Sequence, residues 1–164
     1  MALRGLADDA PIPVCVLLDH ATELDDMRRA VDLGVDAVMA DGSAHSTAAN
    51  AAFVSAAIGV CRLNDVEVEA ELGQLACAED GRSRQRVAQM PDPSDVGAFV
   101  DQTRIHALAI SIGNVHGRTP SEPTLDMDRL ARIRAVCPVP LVLHGASALA
   151  AATVRHVIAT VWSK

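Results

Sequence analysis

In the stretch LVLHGAS, residues 141–147, an apolar run leads directly into a histidine and a small polar turn. Three apolar residues precede His144, and Gly145, Ala146 and Ser147 follow it. In α/β proteins, polar site residues stand in this way at the carboxyl ends of buried parallel strands. The stretch therefore predicts a strand followed by a loop that carries function.

Five apolar runs of this length are spaced along the chain, at residues 12–18, 35–40, 66–72, 106–112 and 139–143. Most of them lack the alternation of apolar and polar residues that marks a strand with one face in water. Continuous apolar runs favour parallel strands that are buried on both faces. The five runs are therefore predicted to form a parallel sheet.

Helical patterns follow the five runs, at residues 23–34, 46–65, 92–104, 125–136 and 147–162. Gly34 is predicted to end the first helix, Ser46 and Thr47 to cap the second and Pro93 to begin the third. Strands that alternate with helices predict an α/β fold, either open and doubly wound or closed as a (β/α)8 barrel. At 164 residues without an evident linker, the chain is expected to form one domain over 1–164.

Composition and charge exclude several classes of function. The 14 basic and 21 acidic residues give a formal net charge of -7, and no basic cluster is interleaved with aromatic residues, so nucleic-acid binding is not expected. No apolar run approaches the roughly 18 residues of a membrane helix, so no membrane association is expected. The four cysteines form no CxxC pair and no secretion signal precedes them, which predicts reduced thiols and a cytoplasmic protein.

Three histidines stand at the ends of predicted strands: His20, His116 and His144. Because the carboxyl ends of parallel strands share one edge of a sheet, these side chains are expected to converge. Three imidazoles that leave one coordination position open are typical of a catalytic site for zinc or a similar metal ion. The remaining histidines are predicted to be structural or exposed: His45, His106 and His156.

Three carboxylates accompany these histidines. Asp19 directly precedes His20 and is a candidate for proton transfer to a bound substrate, although a helix cap or a turn would also explain it. Asp41 and Glu71 are candidates to bind a second cation or to orient the histidines. Taken singly, they equally fit a turn-forming aspartate and a hydrogen-bonded carboxylate at a strand end.

Small residues follow two of the candidate ligands. Gly117, Gly145 and Ser147 allow backbone N–H groups and one hydroxyl to converge on an anion. The HGAS segment is also expected to open the last helix, whose N-terminus would favour a phosphate. An ordinary turn between a strand and a helix is the alternative interpretation.

Four segments resemble the class II, metal-dependent fructose-bisphosphate aldolases and the related tagatose-bisphosphate aldolases. They are LLDHATELDDMRRAVDLGVDAVMADGSAHSTAAN, VEVEAELGQLACAEDG, ALAISIGNVHG and VPLVLHGAS. The resemblance extends from about Pro13 to Ser147 and keeps the order and approximate spacing of the family. It implies a TIM barrel of the (β/α)8 type.

The resemblance also implies roles for the candidate residues. The catalytic zinc would be bound by His20, His116 and His144. Asp19 would donate and accept the proton. The positions that match a second metal site in the family are Asp41 and Glu71. The phosphate of dihydroxyacetone phosphate would be held, with a monovalent cation nearby, by Gly117, Gly145, Ala146 and Ser147.

The implied reaction is the reversible cleavage of fructose 1,6-bisphosphate to dihydroxyacetone phosphate and glyceraldehyde 3-phosphate in glycolysis. The metal polarises the ketose carbonyl and stabilises the enediolate that remains when the carbon–carbon bond breaks. No lysine Schiff base is needed, in agreement with the single lysine, Lys164. Tagatose bisphosphate is an alternative substrate.

The chain departs from the family pattern in three respects. A (β/α)8 barrel takes about 250 residues, and this chain provides about five β-α units, so it is expected to be truncated at both ends. The Asn-x-x-Thr motif of the last strand has no counterpart, and Ala148 stands where the family has glycine. Open sheet edges predict a homo-oligomer or, alternatively, assembly with a separately encoded remainder of the barrel. The alternative is a catalytically impaired metal-binding remnant or interaction module; a nucleotide-binding domain is disfavoured because no glycine-rich loop follows the first strand.

Overall fold

The computed structural model describes residues 2–77, 89–117 and 119–162, which fall into two compact units. The N-terminal unit comprises Met1–Glu71 and Gln102–Ala107. The C-terminal unit comprises Leu72–Asp101 and Leu108–Lys164. Helices alternate with strands in both units. The expectation of a single domain over 1–164 stays a prediction.

The N-terminal unit is built around parallel strands. Its elements are α1 (Ala2–Asp8), β1 (Leu17–Ala21), α2 (Leu24–Asp32), β2 (Ala37–Ala40), α3 (Thr47–Cys61) and β3 (Glu67–Leu72), whose last residue begins the C-terminal unit. β2 lies between β1 and β3, so that Ala37 pairs with Leu17 on one side and with Glu67 on the other.

The core of the N-terminal unit explains why β2 has no alternation of polar and apolar residues. All four residues of β2 are buried, as expected for a central parallel strand. Helices α2 and α3 contact each other, and the buried side chains on them include Met27, Val54 and Ala57. Each large aliphatic side chain buried in this way contributes about 1.5–3 kcal/mol.

The predicted helix boundaries are confirmed where a local signal marks them. The Ser46 hydroxyl accepts a hydrogen bond from the Ala49 N–H and caps α3. Gly34 adopts a left-handed backbone, with φ of 80°, just after α2 ends. Pro93 is the first residue of its helix. Helix α1 was not predicted from the sequence.

The C-terminal unit contains shorter strands. Its elements are β4 (Ala76–Cys77), α4 (Pro93–Thr103), β5 (Ala107–Ile110), β6 (Val115–His116), α5 (Met127–Val136), β7 (Leu141–Val142) and α6 (Ala151–Trp162), although the last two residues of α4 and the first of β5 belong to the N-terminal unit. β5 pairs in parallel with β7, and β4 pairs in parallel with β6. Buried aliphatic residues from β5 and α5 dominate its core, among them Leu108, Ile110, Leu130 and Ile133.

Each predicted apolar run thus contributes one parallel strand, namely β1, β2, β3, β5 and β7, and the predicted α/β class is confirmed. The first strand is displaced from its predicted position, however: β1 begins at Leu17 rather than at residue 12. Pro13 has no N–H to donate to a neighbouring strand. The Val16 N–H donates instead to the Asp36 carboxylate, at 2.7 Å.

The expectation that HGAS opens the last helix is wrong. Residues Ala146–Ala148 form a single 3-10 turn, and α6 begins at Ala151. Leu149 is extended and separates the turn from the helix. Glu122 caps the start of α6, because its carboxylate accepts hydrogen bonds from the Ala150 N–H at 2.8 Å and the Thr153 hydroxyl at 2.6 Å.

The structure also bears on membrane-spanning helices and on disulfides. Within the described residues, no helix is both long enough and apolar enough to cross a membrane. None of the four cysteines forms a disulfide: Cys15, Cys61, Cys77 and Cys137.

Candidate active-site residues

His20 lies on an irregular part of β1. The pairing with β2 passes from Leu18 opposite Val38 to Ala21 opposite Ala40, so β1 carries one extra residue and forms a bulge. His20 itself has a φ of 46°, in the left-handed region that side chains other than glycine rarely adopt. Such backbone costs about 1–3 kcal/mol and is concentrated at functional sites.

Three of the predicted site residues meet in the N-terminal unit. The ligand atoms of His20, Asp41 and Glu71 lie within 4.8 Å of one another. His20 Nδ1 is 2.9 Å from Asp41 Oδ2 and 3.7 Å from Glu71 Oε2. We call these three residues the His20 cluster. One imidazole with two carboxylates is a donor set that fits zinc and similar divalent ions.

The hydrogen bond between His20 and Asp41 selects one form of the imidazole. When the neutral ring donates its Nδ1–H to the carboxylate, the lone pair lies on Nε2, the atom then able to bind a metal. Asp41 thus orients His20, one of the two roles that its position in the sequence suggested.

The electrostatics of the pair favour an ionised Asp41. Burial of Asp41 would raise its pKa, but hydrogen bonds from His20 and from the Ser43 hydroxyl and N–H lower the pKa to about 2. The hydrogen bond to Asp41 raises the pKa of His20, against the opposing effect of burial. Ser43 was missed as a supporting residue, although the DGS sequence that contains it is a common turn signal.

Asp19 lies beside the His20 ring. Its side chain is 62% exposed, and Oδ1 is 3.9 Å from His20 Nε2. The same imidazole nitrogen that is suited to a metal therefore has an accessible carboxylate next to it. This arrangement would permit proton exchange between Asp19 and a substrate that binds to a metal ion at Nε2.

Two predicted ligands lie near each other in the C-terminal unit. The ring centroids of His116 and His144 are 5.6 Å apart, with an angle of 53° between the ring planes. His116 is the last residue of β6 and pairs with Cys77 of β4. His144 follows β7 by two residues. The C-terminal unit thus supplies a pair of imidazoles to a candidate metal site.

Asn114 ties the His144 backbone to β5 and was assigned no role from the sequence. Its side chain is fully buried. Oδ1 accepts a hydrogen bond from the Ile112 N–H at 2.8 Å, and Nδ2 donates to the carbonyl oxygens of His144, at 3.0 Å, and Ile110, at 3.3 Å. Its partner His144 lies 30 residues away in the sequence, so no local pattern indicates this contact.

The glycines predicted to bind phosphate have left-handed backbones. Gly117 has a φ of 85° and Gly145 a φ of 71°. A Cβ on Gly145 would overlap the carbonyl oxygen of Val115, so the turn packs directly on the β6 backbone. Ala146 and Ser147 form the 3-10 turn that follows. Ala148, which stands where the family has glycine, is not among the residues with positive φ, so its backbone conformation does not require glycine.

Of the histidines predicted to be structural or exposed, His106 has a defined structural contact. Its Nδ1 accepts a hydrogen bond from the Val68 N–H at 2.9 Å, which leaves this nitrogen unable to bind a metal. His45 and His156 are exposed. The prediction for these three residues is confirmed.

The whole chain, residues 1–164, matches the family model of the class II fructose-bisphosphate aldolases. Among solved structures, the chain is 31% identical to the YdjI aldolase of Escherichia coli K12, with a TM-score of 0.81 over 95% of this chain and 54% of that one. It is also 31% identical to a Coccidioides immitis protein described as a fructose-1,6-biphosphate aldolase, with a TM-score of 0.87 over 97% of this chain and 57% of the other.

A more distant similarity agrees in fold. The fructose-bisphosphate aldolase of Campylobacter jejuni has 21% identity and a TM-score of 0.74 over 97% of this chain and 53% of its own length. The chain therefore spans a little over half the length of the solved proteins that it matches. The similarities confirm the aldolase type of α/β fold.

Proposed function

Since the chain belongs to the class II fructose-bisphosphate aldolase family, we propose that it carries out metal-dependent aldol cleavage of a phosphorylated ketose. The substrate proposed is fructose 1,6-bisphosphate, and the products are dihydroxyacetone phosphate and glyceraldehyde 3-phosphate. The observation that carries this proposal is the His20 cluster, in which Asp41 orients an imidazole for metal binding within a family whose members depend on a metal.

The proposed ligands of the catalytic zinc are His20, His116 and His144. A zinc ion bound there would polarise the ketose carbonyl and stabilise the negative charge that carbon–carbon cleavage leaves on the substrate. Asp41 would hold His20 in the tautomer that presents Nε2. Asp41 and Glu71 are further proposed to take part in a site for a second divalent ion.

Proton transfer is assigned to Asp19. An accessible carboxylate 3.9 Å from His20 Nε2 can take up the proton that a substrate hydroxyl loses and can return it in the reverse reaction. Within the part of the chain that the structure describes, the Asp19 side chain has only this ring as an ion-pair neighbour and is 62% exposed, so it is able to turn toward a ligand.

Phosphate binding is assigned to the turns after His116 and His144. The left-handed glycines at 117 and 145 open the backbone so that consecutive N–H groups can face one anion. The residues proposed to bind the phosphate, with a monovalent cation nearby, are Gly117, Gly145, Ala146 and Ser147. The Ser147 hydroxyl is exposed and can add one donor.

The test combines metal content with turnover. The purified chain is reconstituted with zinc, and zinc per chain and cleavage of fructose and tagatose bisphosphates are measured for the unchanged chain, His20→Ala, His116→Ala and His45→Ala. We expect about one zinc per chain, lost in the first two variants and retained in His45→Ala, together with cleavage that EDTA abolishes. Asp19→Asn should retain the zinc and lose at least about 100-fold in turnover.

Two outcomes would overturn parts of the proposal. Zinc retained in both histidine variants would reject the ligand set. Zinc bound as expected with no cleavage of either sugar would favour the alternative, a metal-binding module without catalysis.

A cytoplasmic location and a homo-oligomeric state complete the proposal. Four cysteines without disulfides suit a reducing compartment. Light scattering coupled to size exclusion measures the mass of the particle, and a monomer at all concentrations would reject the oligomer.

A further inference from the structure

Asn50 is a polar residue that lies almost completely inside the N-terminal unit. It belongs to α3, and its exposed fraction is 2%. Neither its position in an alanine-rich helix nor the proposed reaction accounts for an amide there. Burial of an amide at this depth costs free energy unless the amide is hydrogen-bonded.

The Asn50 amide is anchored to the strand that carries Glu71. Nδ2 donates a hydrogen bond of 2.8 Å to the backbone carbonyl oxygen of Glu71. A carbonyl oxygen only accepts hydrogen bonds, so the NH₂ end of the amide must face Glu71 and the oxygen must face away from it. The contact joins α3 to the residue whose carboxylate is 3.7 Å from His20.

The oxygen of the same amide lies against the residue that follows Asp41. A Cβ on Gly42 would overlap Asn50 Oδ1 and would lie 3.2 Å from Asn50 Cα. Glycine is therefore needed at 42 for the helix to approach the Asp41 turn so closely. Asn50 thus contacts the backbone at or next to both carboxylates of the His20 cluster.

Asn50 Oδ1 is buried and has no hydrogen-bond partner among the residues that the structure describes. An acceptor left in this state costs about 1–3 kcal/mol. An apolar side chain would avoid this cost but could not hold the Glu71 carbonyl. The Asn50 side chain therefore lowers the stability of the helix but holds the backbone of the His20 cluster at Glu71.

We propose that Asn50 is a positioning residue that sets the spacing between the Asp41 and Glu71 carboxylates around His20. This inference rests on the proposed metal site. Asn50 acts through the backbone at residues 42 and 71 and does not itself bind the metal. Removing the amide should leave the three side chains of the His20 cluster in place but alter the spacing of the two carboxylates, and with it the orientation that Asp41 gives to the metal-binding Nε2 of His20.

The test is a titration with Co²⁺, whose absorption bands report the coordination geometry. Asn50→Ala should bind Co²⁺ about 10–100-fold more weakly than the unchanged chain and with altered visible bands. The matched control is Ser55→Ala, which removes only a hydrogen bond to the Ala51 carbonyl within the same helix and should bind Co²⁺ normally. Urea unfolding of the metal-free proteins shows whether each variant is folded at the titration temperature.

Gly42→Ala provides an independent perturbation of the same amide. Its new methyl group meets Asn50 Oδ1, so we expect weaker Co²⁺ binding even if Asn50→Ala fails to fold. Co²⁺ affinity and bands unchanged in either folded variant would overturn the positioning role. Co²⁺ binding that survives His20→Ala would instead reject the proposed metal site, whereas loss in His20→Ala with normal binding in Asn50→Ala rejects only the role of Asn50.

Discussion

The two compact units hold their candidate histidines by different means. In the N-terminal unit, side chains do this work: Asp41 accepts the hydrogen bond from His20, and Ser43 in turn donates to Asp41. In the C-terminal unit, the backbone is held instead: Asn114 binds the carbonyl of His144, and Gly145 lies against the backbone of β6.

The two kinds of contact control different properties of the candidate histidines. A side-chain network with a buried carboxylate sets the protonation and tautomer of an imidazole. A buried amide that binds backbone groups sets where a loop lies but not the charge on its histidine. We therefore expect substitutions in the C-terminal unit to act mainly on folding, and substitutions around His20 to act mainly through charge.

The largest expected effect comes from Asn114→Ala. The change removes three hydrogen bonds from a fully buried position and leaves the Ile112 N–H and two carbonyl groups without that partner. We expect a loss of about 3 kcal/mol or more in the free energy of unfolding, measured by urea denaturation. A decrease in the free energy of unfolding no larger than that of a substitution at an exposed position would show that the Asn114 side chain does not stabilise the fold.

A somewhat smaller loss is expected from Gly145→Ala. Alanine at this position must adopt a φ of 71° and place a methyl group against the Val115 carbonyl. We expect destabilisation by about 2–3 kcal/mol in the same urea experiment. Gly59→Ala is the matched control, because this glycine lies within α3 with open space around it and alanine should stabilise the helix by up to about 1 kcal/mol. Equal effects in the two variants would contradict a special role for the turn.

The smallest effect, and the one that depends on pH, is expected from Asp41→Asn in the metal-free protein. The folded pKa of Asp41 is lowered from 3.8 to about 2, with hydrogen bonds from His20 and Ser43 outweighing burial. A lowered carboxyl pKa contributes stability above the unfolded pKa that is lost as the pH falls through the folded one. The contribution is about 2 kcal/mol and should disappear between about pH 4 and about pH 2.

Urea unfolding of the unchanged chain and of Asp41→Asn across this acid range checks the prediction. The stability difference between the two proteins should shrink as the pH falls. A difference that stays constant through the range would mean that Asp41 is not held ionised by its neighbours. If Gly145→Ala in the C-terminal unit also removed the pH dependence of the free energy of unfolding, the proposed difference between the two units would be contradicted.

Sequence patterns predicted the elements that depend on nearby residues. The five apolar runs mark five parallel strands, and the caps at Ser46 and Gly34 mark helix ends, because each signal acts over a few residues. The positions of His20, Asp41 and Glu71 at strand ends followed from the same reasoning. Their mutual proximity is confirmed within the N-terminal unit.

The residues that hold the site in place were not predictable in the same way. The contact of Asn50 with Glu71 spans 21 residues, and that of Asn114 with His144 spans 30. The first strand was displaced because Val16 donates to Asp36 rather than to a neighbouring strand, a partner that is 20 residues away. The N–H group at the start of α6 likewise donates to a distant partner, the Glu122 carboxylate, which is 28 residues away.

The α/β class, the order of the strands along the chain and the candidate ligands could be predicted from the amino-acid sequence, because apolar runs, helix caps and family motifs depend on neighbouring residues. Three features followed only from the folded chain: His20 lies on a bulge with a left-handed backbone, Asp41 selects its tautomer, and Asn50 binds the Glu71 carbonyl and packs against Gly42, next to Asp41. Hydrogen bonds between distant segments form only when the chain has packed, so their geometry has no local signal in the sequence.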